Sequence, residues 1–310
     1  MTAVQDVMAD DLARQAPEGL EPLTRALLGR YPDQILAILL YGSCRRDKDI
    51  HDGLVDLLVV VDNYRAAYRN GTAVALNWLL PPNVYFLQVE TRSGPLRCKF
   101  AVITLGQFQR RCQSFSDHYF WARFTQPSRL VFSEDTNRVK PLIAKARANA
   151  ARQYCQRILP LCTTEMEPHD FWERALKTTY RCELRPEPPD NARRLIHADP
   201  AYWERLTAAL ANEGYFARCS ANRYLPGPER GASVGFGRVE WRLRRLTGKL
   251  FNIARLFKAA GTFSNGIDYI AWKVERHSGI RVEPTERMRR YPRLSAWGLA
   301  WRMWRQGGFR

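Results

Sequence analysis

Ile35 to Leu40 is a short apolar run ending on Tyr41-Gly42-Ser43, and the next apolar run, Leu54 to Asp62, carries Asp56 near its start. Apolar runs of this length bounded by turn signals read as buried strands. An ionised carboxylate among Leu54, Val55, Leu57 and Leu58 is costly to bury without a partner. Asp56 is therefore predicted at a strand edge or on a metal. The pair of runs predicts two neighbouring strands with a glycine turn at the end of one and a carboxylate at the start of the other.

The rest of the N-terminal half extends this pattern. Leu12 to Arg30 reads as a helix interrupted near Pro17 and Pro22, and Tyr64 to Leu79 as a helix stopped by Pro81-Pro82. Val84 to Thr91 and Arg97 to Thr104 read as strands joined by Ser93-Gly94-Pro95, and Leu105 to Phe124 as a helix. Strands and helices in this order predict a small mixed α/β domain over residues 1–140. Beyond it, Pro141 to Leu159, Asp170 to Arg181, Val239 to Ala260, Gly266 to His277 and Leu294 to Trp304 are helix candidates. Residues 190–225 read as helical and loop-rich, and 226–237 as a Gly/Pro-rich loop. A chain of 310 residues exceeds the usual domain size of about 100–200 residues. Two domains, or one with a large appendage, are expected.

Composition narrows the classes of partner. The formal net charge is +17 and the pI about 9.9, which implies a polyanion: nucleic acid, nucleotide phosphates or an acidic membrane surface. The seven cysteines form no CxxC and no zinc-ligand spacing, so reduced thiols are expected. Met1 to Asp11 carries acids and no basic start, unlike a secretory or transit segment. No run of 18 apolar residues predicts a membrane span.

A strand, Gly-Ser, and a second strand with aspartate at its start form a nucleotidyltransferase pattern with separable physical reasons. Gly42 lets the backbone turn tightly and approach phosphate oxygens. Ser43 offers a hydroxyl and a backbone N–H, and a helix starting just after it would add free amides for an anion. Asp56 supplies an oxygen ligand for Mg²⁺, whose shell is built from carboxylates and phosphates. Such a metal would polarise the α-phosphate and neutralise the leaving pyrophosphate. An ordinary turn at Gly42-Ser43 explains those two residues equally well. Asp62 shares strand parity with Asp56, and a strand-end cap competes evenly with a second metal role. His51, His118 and His277 have no ligand partner at metal spacing and read as structural. Cys44 lacks a paired histidine, which argues against a thiol nucleophile.

Six segments resemble the peripheral CDP-diacylglycerol synthases of the mitochondrial translocator-maintenance type and their bacterial relatives. They are LLYGSCRRD (39–47), VDLLVVVDNYRAAYRN (55–70), LRCKFAVIT (96–104), HYFWARFTQPSRLVF (118–132), TTYRCELRPE (178–187) and LFKAAGTFSNGIDYIAWKVERHSGI (256–280). The resemblance implies a nucleotidyltransferase-like domain (1–140), a mostly helical, winged-helix-like domain (141–255) and a C-terminal membrane-binding helical region (256–310). It implies the reaction of CTP with phosphatidate to give CDP-diacylglycerol and pyrophosphate, with Mg²⁺ as cofactor. By position, Gly42 and Ser43 match the triphosphate loop, Asp56 the metal aspartate and Lys99 a strand lysine. Glu183 and Arg185 match an acidic and a basic residue of the second domain. The chain departs from the family at two places. Glutamate stands at 183 where aspartate is expected, and Leu58 removes the common Asp-x-Asp pair. The second metal carboxylate stays open among Asp62, Glu90 and Glu183. Because phosphatidate is already anionic, a general base is hardly needed, and a metal role is the better expectation for Glu183. Lys99 also fits a solvated strand residue, and Arg185 a structural pair with Glu183 or Glu187.

The C-terminal stretch carries its own signal. Leu294, Trp297, Trp301 and Trp304 recur at spacings of three and four among Arg287, Arg289, Arg290, Arg293, Arg302, Arg305 and Arg310. On a helix the four apolar residues share one face, as in an amphipathic interfacial segment or a core-packed helix. An interfacial helix predicts a peripheral protein on an anionic membrane, with the cytoplasmic face of a bacterial inner membrane as the expected location. Nucleic acid is not favoured, because the Trp/Arg density lies at the C-terminus instead of in the cleft. Two alternatives remain: the same chemistry on another acceptor (an RNA end, a protein hydroxyl or a small alcohol), and a non-catalytic relative that binds lipid or nucleic acid.

Overall fold

A computed structural model describes residues 2–42, 44, 50, 51, 53–68, 71–183, 190–220, 222–227, 233–262, 285 and 286, with only the backbone of 252, 253 and 255–262. Helices α1 (Ala3–Ala13) and α2 (Glu21–Arg30) lead into strands β1 (Ile35–Tyr41) and β2 (Val55–Val61). A short helix α3 (Tyr64–Ala67) and α4 (Gly71–Leu79) precede β3 (Asn83–Thr91) and β4 (Gly94–Thr104). Then come α5 (Leu105–Gln113), α6 (His118–Thr125) and β5 (Arg129–Ser133). The remainder is mostly helical: α7 (Thr136–Ile158), α8 (Pro168–Tyr180), α9 (Asn191–His197) and α10 (Pro200–Asn212). The hairpin β6 (Phe216–Ser220) and β7 (Arg223–Pro226) and the long α11 (Val234–Thr262) complete the described chain. The expected mixed α/β class is therefore present, with a five-stranded sheet first and a helical region after it.

The sheet order is β3-β4-β2-β1-β5, with β2 parallel to β4 and the other neighbours antiparallel. β1 is apolar at every position and fully buried, as a central strand covered on both faces requires. Strand parity divides its side chains. Ile38 and Leu40 join Leu57, Val59 and Phe100 in a cluster with Leu23 and Leu27 of α2. Leu39 and Tyr41 join Leu58, Val60 and Ala101 in a second cluster under α1, α5, α6 and α7. That second cluster continues through Tyr154, Trp172 and Trp203 to Trp241 of α11, so one core crosses the expected boundary at residue 140.

Several expected elements have different limits. The helix expected over Leu105–Phe124 is two helices, because Ser114 to Asp117 breaks it. The stretch Arg129–Ser133 adds the edge strand β5 beside β1. α1 occupies the acidic N-terminal segment, capped by Thr2, whose side chain accepts from Gln5 N. Asp11 at the end of α1 is fully buried and explains how that helix is held. Its carboxylate accepts from Arg129 Nη1 at 2.6 Å, Arg147 Nη2 at 2.8 Å and Ser128 N at 2.8 Å. The helices expected over Gly266–His277 and Leu294–Trp304 lie outside the described residues.

α11 is docked by one side only. Arg244 donates to Phe115 O and Ser116 O, pairs with Glu240, and lies over the Trp121 ring. Trp241 Nε1 donates to Arg157 O at 2.9 Å. At Gly248 a side chain would meet Cys182 O at 2.7 Å and His118 Nε2 at 3.0 Å, so glycine allows the close approach to α8 and α6.

Candidate active site

Tyr41 closes β1, and Gly42 follows with a φ of +82°, a backbone that L side chains rarely adopt. The position has a second reason to be glycine. A Cβ at Gly42 would stand 2.6 Å from Asp56 Oδ2, so the turn passes directly against this carboxylate. Register explains the approach: Tyr41 lies opposite Asp56 on the antiparallel pair, and Asp56 lies opposite Lys99 on the parallel pair. Tyr41, Asp56 and Lys99 thus share one level and one face of the sheet.

Lys99 Nζ lies 3.3 Å from Asp56 Oδ1, with the side chains 28% and 20% exposed. The aspartate is at the margin of the core, with a cation beside it, as its apolar neighbours demanded. Cys98 and Tyr41 both feel it. Burial first, then the Asp56 charge, pushes the Cys98 thiol well up. Burial and Asp56 likewise raise the Tyr41 phenol, against the pull of Arg123.

Arg123 of α6 is the central cation of this face. Its guanidinium lies 5.2 Å from the Tyr41 ring centroid and 5.3 Å from that of Tyr119. Burial alone would lower its pKa, but Tyr119, Tyr41, Asp56 and Glu183 together outweigh it and hold the proton more firmly. Glu183 follows α8, where its N–H donates to Tyr180 O at 3.0 Å. The charges of Asp56 in the sheet and Glu183 in the helical region therefore both act on Arg123. Sequence reasoning missed this arginine, although it stands inside the 118–132 segment. Only a helix packed back over the sheet gives it meaning, and no local spacing signals that.

The other expected residues divide clearly. Asp62 shares a face with Asp56 but lies at the opposite end of β2, where its N–H donates to Gln34 O. Six residues of strand separate the two by about 20 Å, so the shared parity does not bring Asp62 to this site. Glu90 is exposed near the β3–β4 turn, opposite Pro95, and accepts from Gln88 Nε2 at 2.7 Å. Lys99 pairs with Phe86, about 13 Å back along the strand from Glu90. Ser43 and Arg185 lie outside the described residues. Cys44 is buried, with its thiol donating to Leu54 O at 3.3 Å, consistent with a packing role. His118 packs 6.5 Å from the Trp241 ring beside Gly248.

Among the described residues no three His, Cys, Asp or Glu side chains gather as a metal-ligand group. Mg²⁺ is commonly held by one or two carboxylates, with substrate phosphates completing the shell. Asp56 Oδ2, beside the space that a Gly42 side chain would fill, fits that division. The residues suit an ion held jointly with a bound triphosphate better than an ion in an all-protein cage. No family model matches the chain, and no curated protein matches it.

Proposed function

We propose that the chain is a magnesium-dependent cytidylyltransferase that converts CTP and phosphatidate to CDP-diacylglycerol and pyrophosphate. The observation that carries the reading is the approach of Gly42 to the Asp56 carboxylate, with Lys99 Nζ 3.3 Å from that carboxylate and Arg123 feeling its charge. A mixed sheet carrying this strand–glycine–strand–aspartate arrangement supports a nucleotidyltransferase-like domain. Helices α8 to α10 followed by the β6–β7 hairpin support the winged-helix-like reading of the second region.

In this reading the turn after Tyr41 receives the triphosphate. The phosphate oxygen of phosphatidate attacks the α-phosphorus of CTP, the bond to the β-phosphate breaks, and pyrophosphate leaves. Mg²⁺, held by Asp56 with the triphosphate and with Glu183 as the second carboxylate, would neutralise the charge that builds on the phosphates. Lys99 is the counter-ion beside Asp56, and it is placed to contact phosphate when nucleotide binds. Arg123 adds fixed positive charge on the same side, as preorganised electrostatic stabilisation requires. The acceptor is already anionic, so no residue is assigned to remove a proton.

Among the described residues no helix is long and apolar enough to cross a membrane. α11 exposes Phe236, Val239, Leu243, Leu246 and Leu250. This stripe supports reversible association with a membrane surface, which we place at the cytoplasmic face of a bacterial inner membrane. The test is pyrophosphate release from CTP with and without phosphatidate. Release that depends on both supports the proposal. Release with an RNA end, a protein hydroxyl or a small alcohol in place of the lipid would reassign the acceptor. The missing Asp-x-Asp pair, with Leu58 in the second place, favours a second reading, a non-catalytic relative that binds lipid or nucleic acid. That reading requires no release with any acceptor.

A further inference from the structure

α11 carries three stripes. Gly237, Glu240, Trp241, Arg244 and Gly248 face the body, and Phe236, Val239, Leu243, Leu246 and Leu250 form the exposed apolar stripe. Arg238, Arg242, Arg245 and Lys249 form the third, with all four side chains exposed. Residues four apart on a helix are neighbours, and like charges at that spacing repel. A basic stripe beside an apolar one is therefore a local conflict that an anion would relieve.

The first three arginines of that stripe line a cavity of about 800 Å³ between α8 and α11. Arg174, Lys177, Arg181 and Arg193 line it from the other side, so seven cations face three carboxylates, Glu165, Asp170 and Glu173. Some of these charges are already engaged. Lys177 and Arg193 pair with Glu173 at 2.6 and 3.5 Å, Glu165 pairs with Arg223 at 3.2 Å, and Arg174 donates to Leu161 O. Among the described residues, no ion pair engages Arg181, Arg238, Arg242 or Arg245. Planar guanidiniums on two facing helices suit the several oxygens of a phosphate monoester. The volume suits a headgroup.

We propose that the α8–α11 groove binds the phosphate monoester headgroup of an acidic phospholipid, with Arg181, Arg238, Arg242 and Arg245 on the phosphate. The neighbouring apolar stripe of α11 lies toward the acyl chains. The groove adjoins the candidate active site through one turn: Arg181 lines it, Cys182 touches α11 at Gly248, and Glu183 belongs to the Arg123 cluster. Its role as the acceptor site rests on the transferase reading, whereas the binding itself does not.

The experiment is calorimetric titration of the full chain, without CTP, with short-chain phosphatidate kept below its micelle concentration. Parallel titrations use glycerol 3-phosphate and inorganic phosphate. Phosphatidate should bind most tightly and weaken as salt rises. The Arg242→Ala/Arg245→Ala double variant changes only exposed side chains and should bind at least about tenfold more weakly, because charge-assisted bidentate contacts are lost. The Arg242→Lys/Arg245→Lys variant should recover part of the loss, and Asp56→Asn should bind phosphatidate as the parent does. Unchanged affinity in the double alanine variant, or no binding by the parent chain, overturns the proposal. Glycerol 3-phosphate or inorganic phosphate binding as tightly as phosphatidate overturns the lipid assignment. Phosphatidate binding without pyrophosphate release from CTP would sink the transferase reading and leave the groove standing. Normal turnover in the double alanine variant, with an unchanged KM for phosphatidate, would remove the groove from the acceptor role and leave the transferase reading standing.

Discussion

At the residue scale the site depends on an unusually close contact between a turn and a carboxylate. Gly42→Ala puts a methyl group 2.6 Å from Asp56 Oδ2 in a backbone with φ +82°. The left-handed conformation alone costs roughly 1–2 kcal/mol, and the clash must displace Asp56 as well. A lower urea midpoint with greatly reduced nucleotide binding is expected; a parent-like variant would remove this contact from the site. Asp56→Asn keeps the shape and removes the charge. Turnover should fall about a thousandfold while the fold survives, as for the loss of a group that stabilises developing phosphate charge. Near-normal pyrophosphate release would exclude Asp56 from the chemistry. Buried thiols add a pH effect. Burial pushes Cys162 and Cys182 from 9 up to about 11. The unfolded thiols ionise first, so their contribution is complete below pH 9 and lost as pH rises through about 11. Urea midpoints should fall across that window, and less steeply in Cys162→Ala/Cys182→Ala. Gly42 and Asp56 were legible because a turn signal and a carboxylate in an apolar run are local features, whereas Lys99 was signalled only by the family resemblance. Arg123 was not legible, because its position depends on how α6 crosses the sheet.

At the scale of elements, α1 shows how a polar residue can hold a helix in place. Asp11 is fully buried with two arginines and a backbone amide around it, and these come from α7 and the start of β5. Removing the acid leaves Arg147 and Arg129 buried without their counter-charge. Asp11→Ala should therefore cost about 3–5 kcal/mol, as breaking a buried ion pair does. Urea denaturation measures it; a loss below 1 kcal/mol would mean that the arginines find other partners. The sequence reading found β1 and β2 because continuous apolar runs identify buried strands. It missed α1, whose Asp6, Asp10 and Asp11 mask the apolar face of Val4, Met8 and Leu12. It missed β5, which begins with a buried arginine whose partner lies far back in the chain. It gave Asp62 the correct face and the wrong neighbourhood, because parity says nothing about distance along a strand.

At the scale of the whole molecule, the charge of +17 and the outward stripe of α11 act together. Leu243 and Leu246 are 58% and 66% exposed, on the side of the helix away from Trp241 and Arg244. Beside them run Arg238, Arg242, Arg245 and Lys249, so an anionic surface meets both apolar and cationic side chains at once. Each such cation contributes on the order of 1 kcal/mol near an acidic leaflet, and apolar burial adds to it. The docked face, held by Arg244 and Trp241, is untouched by changes on the opposite stripe. Leu243→Asp/Leu246→Asp should therefore leave the urea midpoint unchanged or slightly raised. It should reduce flotation with phosphatidate-containing vesicles by about tenfold, since the loss of two leucines and the two added negative charges both oppose insertion. High salt should release the parent chain from the same vesicles, and neutral vesicles should hold it weakly. Full flotation of the double aspartate variant would show that α11 is not the contacting face. The anchor would then have to be sought in the Arg/Trp-rich stretch from Glu286 to Arg310, where Trp297→Ala/Trp301→Ala is the corresponding test.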